Sequence, residues 1–128
     1  MKVKTSELTG HALDWAVATA EGEKAELNDG EIVTWRYVIG REWRYRLVWE
    51  PSTNWAQGGP LIEREKISIE HMTGAGDAGA DVWVATRIEH PAISEEQGST
   101  PLEAAMRCYV ASQLGDEVDV PKWLEELK

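Results

Sequence analysis

The residues best suited to hold a ligand lie in the segment 50–65, EPSTNWAQGGPLIERE. Trp55 could stack on a planar molecule, and the flexible backbone at Gly58 and Gly59 could bring N–H groups close to it. Polar contacts would come from Gln57 and Arg64. We interpret this segment as a loop and predict that it is a small-molecule or peptide site. The alternative is a structural loop in which the tryptophan fills the core and the glycines form a tight turn.

A second candidate for binding is Arg107, which follows Glu103 by one helical turn. The simplest partner of its guanidinium is the carboxylate of Glu103, four residues earlier on the same helix. A pair with Glu63, or with an anionic group of a ligand, is the alternative, because guanidinium binds carboxylates and phosphates through two parallel hydrogen bonds.

A third group combines aromatic and basic side chains, in Trp35-Arg36-Tyr37 and Trp43-Arg44-Tyr45-Arg46. The combination resembles a stacking platform for single-stranded nucleic acid. However, the period of two in a strand places the aromatics of the second segment on one face and its arginines on the other. We therefore predict a half-buried hairpin with a solvated arginine face. An alternative is that this basic strip contacts the acidic part of another copy of the chain, which would favour a homo-oligomer.

The literal match to G-x-G-x-x-G at residues 74–79 does not predict a dinucleotide site. That motif needs a helix directly after it, whereas the residues that follow, Asp81-Val-Trp-Val, are typical of a strand. Asp77 and Asp81 would also repel a phosphate. We predict a flexible hairpin loop.

Catalytic and metal-binding patterns have little support in this sequence. The three histidines are scattered, and no cluster has the spacing of metal ligands. Cys108 lies in an apolar helical stretch, which favours an inert thiol over a nucleophile. We predict a protein without catalytic residues, metal or cofactor. A small hydrolase that uses Glu63 or Glu65 is the weaker alternative.

Length and charge limit the fold and the partners. A chain of 128 residues predicts one domain, 1–128, in which 116–128 form an extension or short helix. The net charge of -10 opposes general nucleic-acid binding and favours basic partners. A single cysteine and the lack of a long apolar run indicate the cytoplasm and no membrane contact.

Capping signals predict two main helices, at about 10–21 and 101–114. Thr9 and Gly22 flank the first, and Thr100, Pro101 and Glu103 open the second with a capping box. Strands are predicted at 2–5, 32–38, 43–49, 61–72 and 82–88, and an irregular segment at 90–99. The fold class is therefore α+β, a mainly antiparallel sheet of about four to five strands packed by the two helices.

Three blocks of the sequence are distinctive in this order: KTSELTG at 4–10 with ALDWAVA at 12–18, PSTNWAQGGPLIERE at 51–65, and TPLEAAMRCYVAS at 100–112 with LGDEV at 114–118. Together they resemble the NinX-like family of small proteins carried by tailed phages and prophages. The resemblance implies a phage accessory protein that acts in the host bacterial cytoplasm, and it carries over no catalytic residue. Residues 23–48 and 73–98 carry no recognisable block and are interpreted as variable connections.

The leading functional prediction is a non-enzymatic binder of a small, nucleotide-like ligand, which a phage could use to sequester a host signal. Trp55 would stack on the ligand, Gly58 and Gly59 would donate N–H groups, and Arg64 or Arg107 would meet negative charge. The alternative is an acidic protein that inhibits a host enzyme, in the manner of a DNA mimic. Small molecules and host proteins are thus both candidate partners.

Overall fold

The computed structural model describes residues 1–127, and the side chains of residues 1–124. Within this range the α-helices are α1 (Gly10–Ala20), α2 (Trp55–Glu65) and α3 (Pro101–Leu114). The strands are β1 (Lys2–Lys4), β2 (Glu26–Asn28), β3 (Glu31–Tyr37), β4 (Arg44–Val48), β5 (Ser68–Met72), β6 (Val82–Glu89), β7 (Ala92–Gly98) and β8 (Glu117–Asp119). Short 3₁₀ helices cover Thr5–Glu7, Asp77–Gly79 and Lys122–Leu127.

The α+β class is confirmed, but the strands form three small antiparallel sheets where one sheet of four to five strands was expected. The sheets are β1–β8, β2–β3–β4 and β5–β6–β7. The division follows the chain, because α2 separates the second sheet from the third and α3 separates the third from β8. The short sheet β1–β8 joins the two ends of the described chain.

The two helices predicted from capping signals are confirmed, and they form the core of the molecule. Helix α3 packs against α1 on one side and against β6 and β7 on the other. Its central residues are fully buried, as are the apolar residues of α1: Leu13, Ala16, Val17, Ala104, Ala105, Met106, Cys108 and Val110. Gly98 lets the sheet approach α3, since a Cβ there would collide with the backbone of Ala104.

The prediction of a loop at 50–65 was wrong, because most of this segment is helix α2. The side chain of Asn54 caps the helix by accepting a hydrogen bond of 2.9 Å from the N–H of Ala56. Gly58 is required by packing rather than by a turn, since a Cβ there would lie 2.5 Å from the carbonyl oxygen of Pro51 and 2.6 Å from Leu102. Close packing on α3 thus outweighs the low helix propensity of the Gly-Gly-Pro sequence.

Two further local predictions need correction. The strand expected at 61–72 is shortened to β5, because α2 continues to Glu65. The segment 90–99, expected to be irregular, contains β7, which pairs along its full length with β6. Its polar sequence, Ser94-Glu95-Glu96-Gln97, has low strand propensity, so cross-strand pairing decides its conformation.

Candidate functional site

The hairpin formed by β3 and β4 carries a mixed surface of aromatic and basic side chains. In the antiparallel register Tyr37 lies opposite Arg44 and Trp35 lies opposite Arg46. Residues opposite each other point to the same face of a sheet. These four residues therefore share one face, which we call the first hairpin face.

The expected separation of aromatics from arginines holds along β4 but fails across the hairpin. Arg36 lies opposite Tyr45 on the other face of the hairpin, which we call the second hairpin face. This face therefore also carries an arginine beside an aromatic ring. The period of two fixes faces within one strand only, and the register between strands decides which side chains become neighbours. The structural reason that we gave against a stacking platform is therefore removed.

On the first hairpin face the guanidinium of Arg44 lies over the indole ring of Trp35, 4.3 Å from its centroid. The indole N–H of Trp35 donates a hydrogen bond of 3.2 Å to the carboxylate of Glu26, which fixes the edge of the ring. Tyr37, the next aromatic on this face, is 71% exposed. An aromatic surface and a positive charge are thus held together and remain open to solvent.

A cleft of about 280 Å³ lies beside β3, where the chain enters β2 at Glu26. It is lined by the first-face residues Trp35, Tyr37 and Arg44 together with Glu23, Lys24, Glu26, Thr34 and Arg36. Arg36 is neutralised by Glu23 at 3.1 Å. Among the side chains that the structure describes, Lys24 and Arg44 form no ion pair, so both cations are available to a ligand.

The predicted binding loop contained Trp55, Gly58 and Gly59. Helix α2 changes which of their groups are available to a ligand. The N–H of Gly58 donates to the carbonyl oxygen of Asn54 at 2.8 Å, as part of the helical hydrogen bonding. The backbone of Gly58 is buried, whereas Trp55 is 56% exposed at the first residue of α2. The premise of free glycine N–H groups was wrong, and the stacking role of Trp55 stays a prediction.

The polar side chains predicted to assist Trp55 are occupied by contacts within the protein. Gln57 donates to the carbonyl oxygen of Val48 and accepts from the N–H of Glu50, both at 2.7 Å. Arg64 binds both carboxylate oxygens of Glu21, at 2.9 and 2.6 Å. Its hydrogen bonds lower the pKa of Glu21, so the pair is ionised at neutral pH. Both side chains therefore fasten α2 to its neighbours.

Arg107 is also a structural residue. It donates to the carbonyl oxygens of Leu8 at 2.7 Å and Gln97 at 2.9 Å. The pair with Glu103, which the sequence favoured over Glu63, is confirmed at 3.4 Å. The guanidinium thus joins α3 to β7 and to Leu8 in the segment that leads into α1.

A larger cleft, of about 630 Å³, borders Arg107, and five of its lining side chains are carboxylates. These are Asp77, Asp81, Glu95, Glu96 and Glu103. Burial, and then the charge of Asp116, raise the pKa of Glu96. An anionic ligand would be repelled here, because Arg107 is already used by carbonyl oxygens and by Glu103.

The remaining chemical candidates have structural explanations. Burial raises the pKa of the Cys108 thiol to about 11, so the thiol is protonated and unreactive at neutral pH. Glu65, the alternative acid–base group, pairs with Arg64 at 2.8 Å and with Arg87 at 3.1 Å. The glycine-rich sequence at 74–79 lies in the connection between β5 and β6, as predicted.

Within the described residues, no helix is long and apolar enough to cross a membrane. Comparison with protein families gives a match to the family described as Bacteriophage P22, NinX, over residues 4–113. The match covers most of the chain, including the segment 50–65 and the hairpin of β3 and β4. No curated protein matches the sequence.

Proposed function

Since the chain belongs to the NinX family of bacteriophage P22, we propose that this phage accessory protein acts in the host cytoplasm as a non-enzymatic binder of a small, nucleotide-like ligand. The observation that carries the proposal is the cleft beside β3, where Trp35 and Arg44 lie together and Lys24 stands near them. Binding there would allow a phage to sequester a host signal.

The chemistry of the cleft is complementary to that of a nucleotide. A nucleobase is planar and stacks on an indole or on a guanidinium that itself lies on an indole. A phosphate is anionic, and Lys24 and Arg44 supply cations without ion-pair partners among the described side chains. The volume of about 280 Å³ is close to the lower limit of about 300 Å³ for small-molecule sites.

The charge distribution supports an anionic ligand at this place and not elsewhere. Residues 36–46 contain four arginines and one glutamate, a net charge of +3, whereas the whole chain has -10. The rest of the chain therefore has -13. A phosphate is attracted to the hairpin and repelled by the carboxylate-lined cleft beside Arg107.

Titration with the four ribonucleoside monophosphates, followed by tryptophan fluorescence and melting temperature, tests this proposal. We expect a saturable change in emission and a rise in melting temperature, because a ligand that binds the folded state stabilises it. Trp35→Leu should abolish the change in emission, and the matched variant Trp55→Leu should retain it. Unchanged emission and melting at millimolar nucleotide would contradict the proposal.

The carboxylate-lined cleft supports a second candidate, an inhibitor that occupies a basic site of a host enzyme in the manner of DNA. Glu95 and Glu96 lie on β7 at this cleft and would meet lysine or arginine side chains of the partner. Affinity capture from host lysate should then give a stoichiometric partner that salt releases. The double variant Glu95→Gln, Glu96→Gln should capture less of this partner than the wild type. Capture that neither treatment weakens would contradict this candidate.

A further inference from the structure

We propose that the ligand class is a short single-stranded oligonucleotide, of about two to four nucleotides, bound along the first hairpin face from the cleft toward the β3–β4 turn. This inference rests on the proposed function and extends it, because it identifies a ligand with more than one base. The carrying observation is a repeated pairing of an aromatic ring with an arginine on this face.

The two aromatic rings are spaced for consecutive bases. Trp35 and Tyr37 are two residues apart in β3, so they point to the same face about 7 Å from each other. Adjacent bases of an extended single strand can reach such a separation, so one base can stack on Tyr37 and the next on the guanidinium of Arg44 that covers Trp35. Stacking is tolerant of sequence because every base has a π-face.

The cations on this hairpin lie beside the path of the backbone. Arg44 is opposite Tyr37 and its guanidinium lies over Trp35, so its charge is at the first stacking position. Arg46 is compensated by Asp29 at 3.3 Å and Glu31 at 3.9 Å, so it adds little attraction. Arg41 is exposed in the turn between the strands, where a second or third phosphate would lie.

The acidic remainder of the molecule limits the length of the ligand. The hairpin has a net charge of +3 and the rest of the chain has -13, so nucleotides beyond the hairpin meet a surface that is acidic on balance. With about three phosphates neutralised, the logarithm of affinity should fall with the logarithm of salt concentration with a slope of about -2. The net charge thus excludes general binding of long nucleic acids while it permits a short segment.

Isothermal titration calorimetry of the intact protein with oligothymidylates of one, two, four and eight nucleotides tests the inference. Affinity should rise about tenfold from the mononucleotide to the tetranucleotide, since one added stacked base contributes about 1–3 kcal/mol, and should then reach a plateau. Arg41→Gln should reduce the gain with length while mononucleotide binding is retained.

The two hairpin faces provide a matched control for stacking. Tyr37→Ala should lower tetranucleotide affinity about tenfold, and Tyr45→Ala, the same change on the second hairpin face, should leave it within twofold. Equal effects of the two variants would contradict the assigned face. Equal affinity for a duplex of the same length would contradict stacking on exposed bases.

The series of oligonucleotide lengths also distinguishes failure of the oligonucleotide inference from failure of the proposed small-ligand function. If the mononucleotide binds and the tetranucleotide binds no more tightly, the oligonucleotide inference is overturned and the small-ligand function is retained. If neither binds, both are overturned.

Discussion

The segment 50–65 and the β3–β4 hairpin both combine tryptophan, glycine and arginine, yet the fold uses them in opposite ways. In the segment 50–65, Gln57 and Arg64 bind groups of the protein itself, and the N–H of Gly58 is part of a helix. In the hairpin, Arg44 lies over Trp35 and makes no ion pair with a described carboxylate. The first region stabilises the structure, and the second presents a guanidinium and aromatic rings that remain available to a ligand.

This difference shows why composition alone is a poor guide to a binding site. The partner of Arg64 is Glu21, 43 residues away in the sequence, and no local pattern indicates that these two side chains meet. What remains available to a ligand is decided by such long-range contacts. A polar side chain without an internal partner is therefore a stronger indication of function than an unusual local sequence.

The largest effect is expected at Gly58, because a substitution there tests directly whether the segment 50–65 has a structural role. Gly58→Ala should lower the free energy of unfolding by about 2–4 kcal/mol, because the new Cβ would overlap Pro51 and Leu102. Gly59→Ala is the matched control, since its Cβ would lie 3.9 Å from Trp55. It should change stability by less than about 1 kcal/mol, because the gain in helix propensity is opposed by crowding against Pro60. Urea denaturation measures both changes, and equal losses would show that Gly58 is not held by packing.

A pH-dependent effect of similar size is expected at Asp14, which accepts a hydrogen bond of 2.8 Å from the N–H of Ser52 and so fastens the start of the same segment. Burial raises the pKa of Asp14 to about 6, so ionisation in the folded state is unfavourable. As pH rises from 4 to 7, the wild type should lose about 2 kcal/mol of stability relative to Asp14→Asn.

Denaturant unfolding of the two proteins at several pH values measures this loss. A difference in stability that does not change between pH 4 and pH 7 would contradict the raised pKa.

A smaller pair of effects should separate the two arginines. Arg64→Gln should reduce stability by about 1 kcal/mol, because Arg64 is half exposed and its pair with Glu21 is screened by solvent. It should leave nucleotide affinity unchanged. Arg44→Gln should leave stability within about 0.5 kcal/mol and lower nucleotide affinity about tenfold. Denaturant unfolding measures the stability of both variants, and calorimetry measures their nucleotide affinity. Equal changes in stability and equal changes in affinity for the two variants would contradict the contrast between the regions.

The smallest effect is expected for Trp55→Ala. Trp55 is 56% exposed at the start of α2, so its loss should change stability by less than about 0.5–1 kcal/mol. Thermal unfolding measures the change, and a loss of several kcal/mol would show that the indole has a structural role.

Local signals predicted the elements whose ends are defined by the chain itself. The N-cap positions Thr9 and Thr100 located α1 and α3, although only the side chain of Thr100 makes a capping hydrogen bond. Alternation located the β3–β4 hairpin. Helix α2 could not be predicted, because Gly-Gly-Pro disfavours a helix and the packing of Gly58 on Leu102 lies outside local sequence. The aromatic and basic residues of the hairpin were identified, but their grouping depends on the register between two strands.

The central claim is that a nucleotide binds at the hairpin and not at the segment 50–65. Two-dimensional ¹H–¹⁵N spectra of the seven tryptophan indole groups, recorded during titration with a nucleoside monophosphate, test it directly. We predict that the indole resonance of Trp35 shifts saturably while that of Trp55 stays in place. A shift of Trp55 without a shift of Trp35, or no shift of either at millimolar nucleotide, would contradict the account.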